Sequence, residues 1–287
     1  MAYCPFPFLT ALPLNFSAIA HISELKLFAD PMQQLIVAQA NFSVTAYQPT
    51  DFCQLGCDFP YSLQNAVTKR QAEYLAGRYL SQLTMQQSGL FSPTPPQLGV
   101  AAMRSPDWPQ AVIGSISHHQ QSVCVALLTQ PLGLNSFVGL DTELWLKSPQ
   151  ASDIASSIHQ ADEQQMLLEI GFTPAQATTL IFSAKEALFK AICPFVGQYF
   201  GFDAALLVGC VELTKTTTTT NRYGWLHLAL TSDWVLAKAP QQKYRCWFSC
   251  NAEDVITLIC SDAVCCDWDV PLALNPAINL AQKSVKI

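Results

Sequence analysis

Charge is scarce in this chain. Asp, Glu, Lys and Arg together make up 13% of its 287 residues, against 50% hydrophobic residues. That balance excludes a disordered polypeptide and supplies enough apolar surface for a large buried core. Also lacking is any apolar run approaching the length of a membrane span, so the mean hydropathy of +0.22 reflects a core rather than lipid contact. Residues 1–9 carry no basic stretch ahead of their apolar part, and no secretory signal is expected. Lys and Arg are not clustered and the net charge is −6, which argues against a nucleic-acid groove but not against a few local cations around a small polyanion. No His stands at partner spacing from the Cys53/Cys57 or Cys246/Cys250 pairs, so these thiols are not expected to hold zinc. The 11 cysteines are odd in number and have no framework spacing. They read as the reduced thiols of a cytoplasmic protein. There is no seven-residue or thirty-residue repeat.

What is present reads as helix, meander, helix, strands. Residues 35–44 suggest a strand and 61–90 a helix with Val67, Tyr74, Leu75 and Arg78 near one side. Arg70 lies eight residues before Arg78, close to the same face. Two arginines on a helix are ordinarily solvated, but two guanidinium forks on one face can also hold a phosphate. Residues 91–109 form a Pro-rich loop in which Arg104 is the only basic residue. A meander follows: strand 111–117, turn 118–121, strand 122–129, loop 131–136 and strand 137–143. Asp141 and Glu143 are two apart, so a strand aims both carboxylates to one side. Gly139 lets another backbone or a ligand come close. Residues 150–170 are helical, opening near Asp162 and Glu163.

The central element is the helix predicted over residues 173–193. Thr173 is its N-cap, Pro174 suits the first turn, Gln176 completes a capping box, and Pro194 is expected to stop it. Ala177, Ile181, Ala184, Leu188 and Ala191 form an apolar stripe. Glu186 lies opposite that stripe, and Lys190 points the same way one turn on, flanked by Phe182 and Phe189. The pair reads either as a surface ion pair, with Ser183 and Glu186 as a second capping box, or as a chemical face. An aromatic loop at 195–202 precedes strands at 206–213, 224–231, 243–249 and 255–260. Thr216–Thr220 is taken as a hairpin connection, Cys265-Cys266 as core, and the last twenty residues as a surface tail. The fold class is α+β, with halves at 1–133 and 134–287.

Three motifs now converge: Gly114-Ser-Ile-Ser-His118, Val138-Gly-Leu-Asp-Thr-Glu143 and Phe182-Ser-Ala-Lys-Glu-Ala-Leu-Phe-Lys190. In this order they resemble the 4′-phosphopantetheinyl transferases of the surfactin and enterobactin-synthetase type, over residues 65–205. Arg70, Arg78 and the loop from Arg104 to Pro109 resemble the enterobactin subgroup. Where the family often reads Gly-Lys-Pro, this chain has Arg104-Ser-Pro106.

The resemblance implies two similar α/β halves related by a pseudo-twofold, with coenzyme A in the cleft between them. The implied activity is transfer of the 4′-phosphopantetheine arm to a serine of an acyl or peptidyl carrier protein, by a monomer, with release of adenosine 3′,5′-bisphosphate. The carrier could serve siderophore, polyketide or polyunsaturated fatty acid synthesis. The resemblance makes Glu186 the group that orients or deprotonates the serine and His118, beside Ser117, a phosphate contact. Arg70, Arg78, Arg104, Ser117 and Lys185 are further candidates for the phosphates of coenzyme A. Beside the resemblance, Asp141, Glu143 and Glu186 form an all-oxygen donor set, which suits Mg²⁺ rather than zinc. Lys190 is a point charge able to steady leaving diphosphate oxygens. A catalytically silent carrier-docking relative and a Mg²⁺-dependent phosphate-ester hydrolase are the alternatives.

Overall fold

The computed structural model describes residues 5–14, 19–91, 94–129, 133, 135–213 and 221–261. In chain order the first half contains β1 (Thr10–Ala11), β2 (Ile22–Ala29), β3 (Leu35–Phe42), α1 (Asp51–Gln54), α2 (Thr68–Gln87), β4 (Gly99–Val100), β5 (Pro106–Asp107), β6 (Val112–His119) and β7 (Ser122–Thr129). The second contains β8 (Val138–Leu144), α3 (Ser148–Ile158), α4 (Ala161–Glu169), α5 (Pro174–Val196), β9 (Ala205–Glu212), β10 (Arg222–Leu230), α6 (Asp233–Leu236), β11 (Lys243–Cys250) and β12 (Asp254–Cys260). Ten of the twelve described strands form two antiparallel five-stranded sheets, ordered β1-β2-β3-β7-β6 and β8-β12-β11-β10-β9, and β4 pairs with β5. One connection occurs twice. A strand leads into a long helix and then pairs with the last strand of its own half: β3 with β7, and β8 with β12. The fold is therefore the expected α+β arrangement in two halves.

Burial on both faces explains why these strands read as nearly continuous apolar runs. In β3, Ile36 and Ala38 face α2, whose Leu75, Ala76 and Leu80 cover them. The alternate residues Leu35 and Val37 face the other sheet, where they join Val138, Leu140, Trp247, Ile256 and Leu258 in one cluster. The outer face of the second sheet packs on α5 through Ala184, Leu188, Ile192 and their neighbours. The layers thus run helix, sheet, sheet, helix, with one apolar core shared between the halves.

β6 and β8 are edge strands of different sheets, and side chains rather than a backbone ladder join them. The Ser115 hydroxyl accepts from Leu140 N–H at 2.9 Å and donates to Leu140 C=O at 3.3 Å. Two residues on, the Ser117 hydroxyl accepts from Thr142 N–H at 3.3 Å.

Several local expectations change. α5 opens as expected, with Thr173 Oγ1 accepting from Gln176 N–H and the Gln176 side chain accepting from Thr173 N–H. It does not stop at Pro194, which lies inside the last turn. The helix ends when Gly197 takes φ 74° and closes on Cys193 C=O at 2.9 Å, a left-handed cap that glycine adopts without strain. Ser183 is not a cap either, for it sits mid-helix and bonds Thr257 of β12 at 2.9 Å. Val67 lies at the N-cap of α2 and is 72% exposed, so it is not part of the buried face. The helical stretch at 150–170 divides into α3 and α4, and the loop at 91–109 contains the β4–β5 hairpin. The Thr216–Thr220 connection, Cys265-Cys266 and the terminal tail lie outside the described residues.

Gly139 is required by backbone, not by ligand. A Cβ there would stand 2.6 Å from Ala191 N and would also overlap Ala187 C=O, because β8 lies directly on the α5 backbone. Neither obstacle is a flexible side-chain end that could swing away. Gly139→Ala is expected to cost about 3 kcal/mol of stability, read from urea unfolding midpoints.

Candidate active site

Strand alternation in β8 and helical spacing in α5 bring Asp141, Glu143, Glu186 and Lys190 into one neighbourhood. Asp141 is 2% exposed. Its Oδ1 accepts from Lys190 Nζ at 2.6 Å and from Ser117 Oγ at 2.8 Å. Lys190 Nζ also donates to Ser117 Oγ at 3.0 Å. Lys190 is therefore ion-paired to Asp141 across elements, and no ion pair with Glu186 occurs among the described residues. Asp141 Oδ2 is buried with no hydrogen-bond partner among them.

The other two carboxyls feel this crowding. Burial, with the added repulsion of Asp141 and Glu186, pushes Glu143 up to about 7, against the pull of Lys190. Glu186 is raised too, first by burial and then by Asp141, with Lys190 opposing. A divalent ion that prefers oxygen fits this set. It would satisfy the orphaned Asp141 Oδ2 and offset both the burial and the repulsion that raise the proton affinity of Glu143 and Glu186. As the side chains stand, no group of three His, Cys, Asp or Glu among the described residues is gathered closely enough to hold a metal.

On the other side of β6 lies a cavity of about 450 Å³. Arg70, Arg78, Arg104 and His118 line it together with Glu73 and Tyr74. It therefore collects four of the residues expected at the phosphates. Arg70 and Arg78 reach it from one face of α2, and Arg104 from the tip of the β4–β5 hairpin. Arg78 is 8% exposed, donates from Nη2 to Gly99 C=O at 3.0 Å and stands 4.6 Å from the Tyr74 ring centroid. Its Nε is buried without a partner, and none of the three arginines forms an ion pair among the described residues. Arg70 and Arg104 are exposed, whereas Arg78 is a buried cation without counter-charge, a costly state that an anionic ligand would offset. His118 Nδ1 lies 3.9 Å from Glu73. Burial lowers its pKa, Glu73 opposes that, and Arg70, Lys190 and Lys69 lower it further.

Two residues expected at the phosphates stand elsewhere. Ser117 is adjacent to His118, so the strand turns its side chain away from the cavity and into the Asp141–Lys190 cluster. Lys185 is 4% exposed and engaged by structure. Its Nζ bonds Glu163 at 2.9 Å and Ile158 C=O at 2.8 Å. Glu163 in turn accepts from Gln160 N–H at the α4 cap and from Leu207 N–H of β9. Lys185 thus pairs toward α4, and it also borders the smaller cavity beside Glu186.

Sequence reasoning overlooked Glu73, three residues from Arg70 on the same helix face. It also took His119 as part of the turn. His119 instead ends β6, its side chain 10% exposed and 3.9 Å from Asp254. The alternation Ser115, Ser117, His119 was the available signal. A smaller cavity of about 250 Å³ lies beside Glu186, lined by Phe189, Tyr199, Phe200 and Phe202.

The two-half α+β fold thus places an arginine-lined cavity behind a carboxylate–lysine cluster. Comparison with known proteins gives the particular family. Residues 59–129 match the 4′-phosphopantetheinyl transferase N-terminal domain, and residues 137–248 match the 4′-phosphopantetheinyl transferase superfamily. The chain belongs to the 4′-phosphopantetheinyl transferase superfamily. It is 34% identical to enterobactin synthase component D of Salmonella typhi over 143 residues, covering 50% of this chain and 56% of that protein. It is 31% identical to enterobactin synthase component D of Salmonella austin over 197 residues, covering 69% of this chain and 74% of that protein. It is 25% identical to the 4′-phosphopantetheinyl transferase Npt of Nocardia iowensis over 150 residues, 52% of this chain and 64% of that protein. The chain thus spans little more than half the length of the first of these relatives and about three quarters of the second.

Two outcomes follow from the electrostatics. Lys185→Met leaves Glu163 buried without its counter-charge and is expected to cost about 3–5 kcal/mol in urea unfolding; the double variant Lys185→Met/Glu163→Leu should recover only part of it, because Gln160 and Leu207 N–H then lose their acceptor. Glu143 keeps its proton to about pH 7 in the folded protein, whereas the unfolded chain releases it near 4.5. Between those values the unfolded state binds fewer protons, so this stabilisation is complete below the lower value and is lost as pH rises to the upper. Without divalent ions, Glu143→Gln is expected to flatten the fall in unfolding midpoint across that window.

Proposed function

We propose that this protein transfers the 4′-phosphopantetheine arm of coenzyme A to a serine of an apo carrier protein. One observation carries the reading. Ser117 and His118 are neighbours on β6 whose side chains leave on opposite faces. One joins the Asp141–Lys190 cluster and the other lines the arginine cavity. A substrate whose phosphates occupy the cavity is thereby one strand's thickness from the carboxylates.

In this reading Arg70, Arg78, Arg104 and His118 bind the 3′-phosphate and pyrophosphate. Burial raises the proton affinity of Glu186 toward that of a group able to take the proton of the serine hydroxyl. The serine oxygen forms its bond to the β-phosphorus as the bond to the bridging pyrophosphate oxygen breaks, and adenosine 3′,5′-bisphosphate leaves. Lys190 supplies positive charge beside the leaving oxygens, and Ser117 and Asp141 fix its position. Mg²⁺, held by Asp141, Glu143 and Glu186, would supply charge neutralisation at the pyrophosphate when bound.

The relatives named enterobactin synthase component D favour a peptidyl carrier of siderophore synthesis, with acyl carriers of fatty acid or polyketide synthases as further acceptors. We assign the phosphate-binding role to residues 1–133 and the carboxylate cluster to residues 134–287, within a monomer working in the cytoplasm. The described cysteines are all free thiols, which suits a reducing compartment.

The test is incubation with coenzyme A, Mg²⁺ and an apo carrier, followed by mass spectrometry. The carrier serine gains the phosphopantetheine mass. Glu186→Gln is expected to lower that rate by about 10²–10⁴-fold while the circular dichroism spectrum stays native. Chelation by EDTA stops turnover and added Mg²⁺ restores it. Consumption of coenzyme A without a mass gain on the carrier would overturn the assignment.

A further inference from the structure

The tip of the β4–β5 hairpin holds two consecutive non-glycine residues in the left-handed region, Met103 at φ 56° and Arg104 at φ 61°. L side chains avoid this region, and a pair of them persists only where surrounding contacts hold the backbone there. The base of the tip is closed by Ala101 N–H donating to Ser105 C=O at 2.8 Å. The outer contacts come from the other half of the molecule. The Tyr199 hydroxyl donates to Met103 C=O at 3.1 Å, and the Cys193 thiol to Met103 Sδ at 3.7 Å. Tyr199 is itself 65% exposed, yet its ring is fixed by stacking on Phe189 of α5, with centroids 5.6 Å apart and planes 12° from parallel. The next residue along the hairpin from Met103 is Arg104, the one cation that the hairpin brings to the phosphate cavity. On the other side of the contact, Tyr199 lines the smaller cavity beside Glu186.

We propose that Tyr199 is a positioning residue. Its hydroxyl, anchored on Phe189 in the second half, pins the Met103 carbonyl and so holds the left-handed turn that aims Arg104 into the phosphate cavity of the first half. The inference rests on the transferase reading, because it concerns how that cavity takes coenzyme A. Tyr199 acts through Arg104 and not on the ligand. Without its hydroxyl the hairpin tip relaxes toward ordinary backbone conformations, and Arg104 must then be ordered when the ligand binds.

The measurement is calorimetric titration of coenzyme A into the full chain and three variants: Tyr199→Phe, Arg104→Ala, and the two together. Tyr199→Phe removes only the hydroxyl and keeps the stack on Phe189. It is expected to weaken binding about fivefold, the scale of one net hydrogen bond. Arg104→Ala is expected to weaken it about tenfold, the scale of one charge-assisted phosphate contact. The double variant should bind no more weakly than Arg104→Ala alone. A purely structural role for the hydroxyl would lower the unfolding midpoint and weaken binding equally in both backgrounds, and additive losses would overturn the proposal. So would a Tyr199→Phe variant that binds like the parent. A parent protein that does not bind coenzyme A at all would instead remove the transferase reading itself, and this inference with it.

Discussion

Everything at the site depends on how two sheet edges meet without a ladder. β6 and β8 are each the last strand of a sheet, and a bare strand edge is a row of unpaired donors and acceptors. Here the hydroxyls of Ser115 and Ser117 fill that role, bonding Leu140 and Thr142 across the seam. A short hydroxyl side chain keeps the edges close but not in register, so β8 stays free to lie on α5 through Gly139. It also fixes which residues of β6 look inward. Ser117 turns to Asp141, and His118, the next residue, must turn away from it. The arginine-lined cavity and the carboxylate cluster are therefore two faces of one strand, and the seam that joins the halves sets the distance between them.

Two lysines on α5 illustrate how position decides the use of a charge. Lys185 and Lys190 are five residues apart and both meet a carboxylate. Lys185 is enclosed, and its partner Glu163 also satisfies two backbone N–H groups, so the pair acts as a packed polar joint among α4, α5 and β9. Lys190 keeps 26% of its side chain exposed, and its partner Asp141 keeps one oxygen without a donor. A cluster with a spare buried carboxylate oxygen and an accessible ammonium can exchange partners when an anion and a cation arrive together. A sealed pair cannot do so without paying for the exposure of its charges.

Much of this was legible in the sequence, and the parts that were not have physical causes. Asp141, Glu143, Glu186 and Lys190 were readable because strand period and helix period are local rules. Arg70 and Arg78 followed from the same helical spacing. Lys185 was expected at the phosphates, yet it does not line the arginine cavity, and its ion-pair partner Glu163, which no local period reveals, lies 22 residues away. Pro194 was read as a stop because its missing N–H breaks a helix interior, yet in the last turn that loss is tolerated and Gly197 does the ending. His119 was read as a turn residue because two histidines and two glutamines look like a loop, while the alternation begun by Ser115 and Ser117 continues through it. The Tyr199–Met103 contact could not be read at all, since it joins residues 96 apart on different halves.

That contact and the serine seam describe the same constraint at two places where the halves meet. At the seam, the first half lends hydroxyls to the backbone of the second. At the hairpin tip, the second half lends a hydroxyl to the backbone of the first. Each junction is a side-chain donor or acceptor meeting a carbonyl or N–H that its own sheet does not satisfy, and each lies beside a charged group of the site. Lys190 stands over the first and Arg104 follows the second. A core of apolar residues between the sheets is non-directional and would tolerate small slips of one half on the other. Hydrogen bonds of this kind do not, because they weaken steeply with angle. The apolar layer therefore holds the halves together, and the polar junctions between them set the register in which the arginine-lined cavity of one half stands behind the carboxylates of the other.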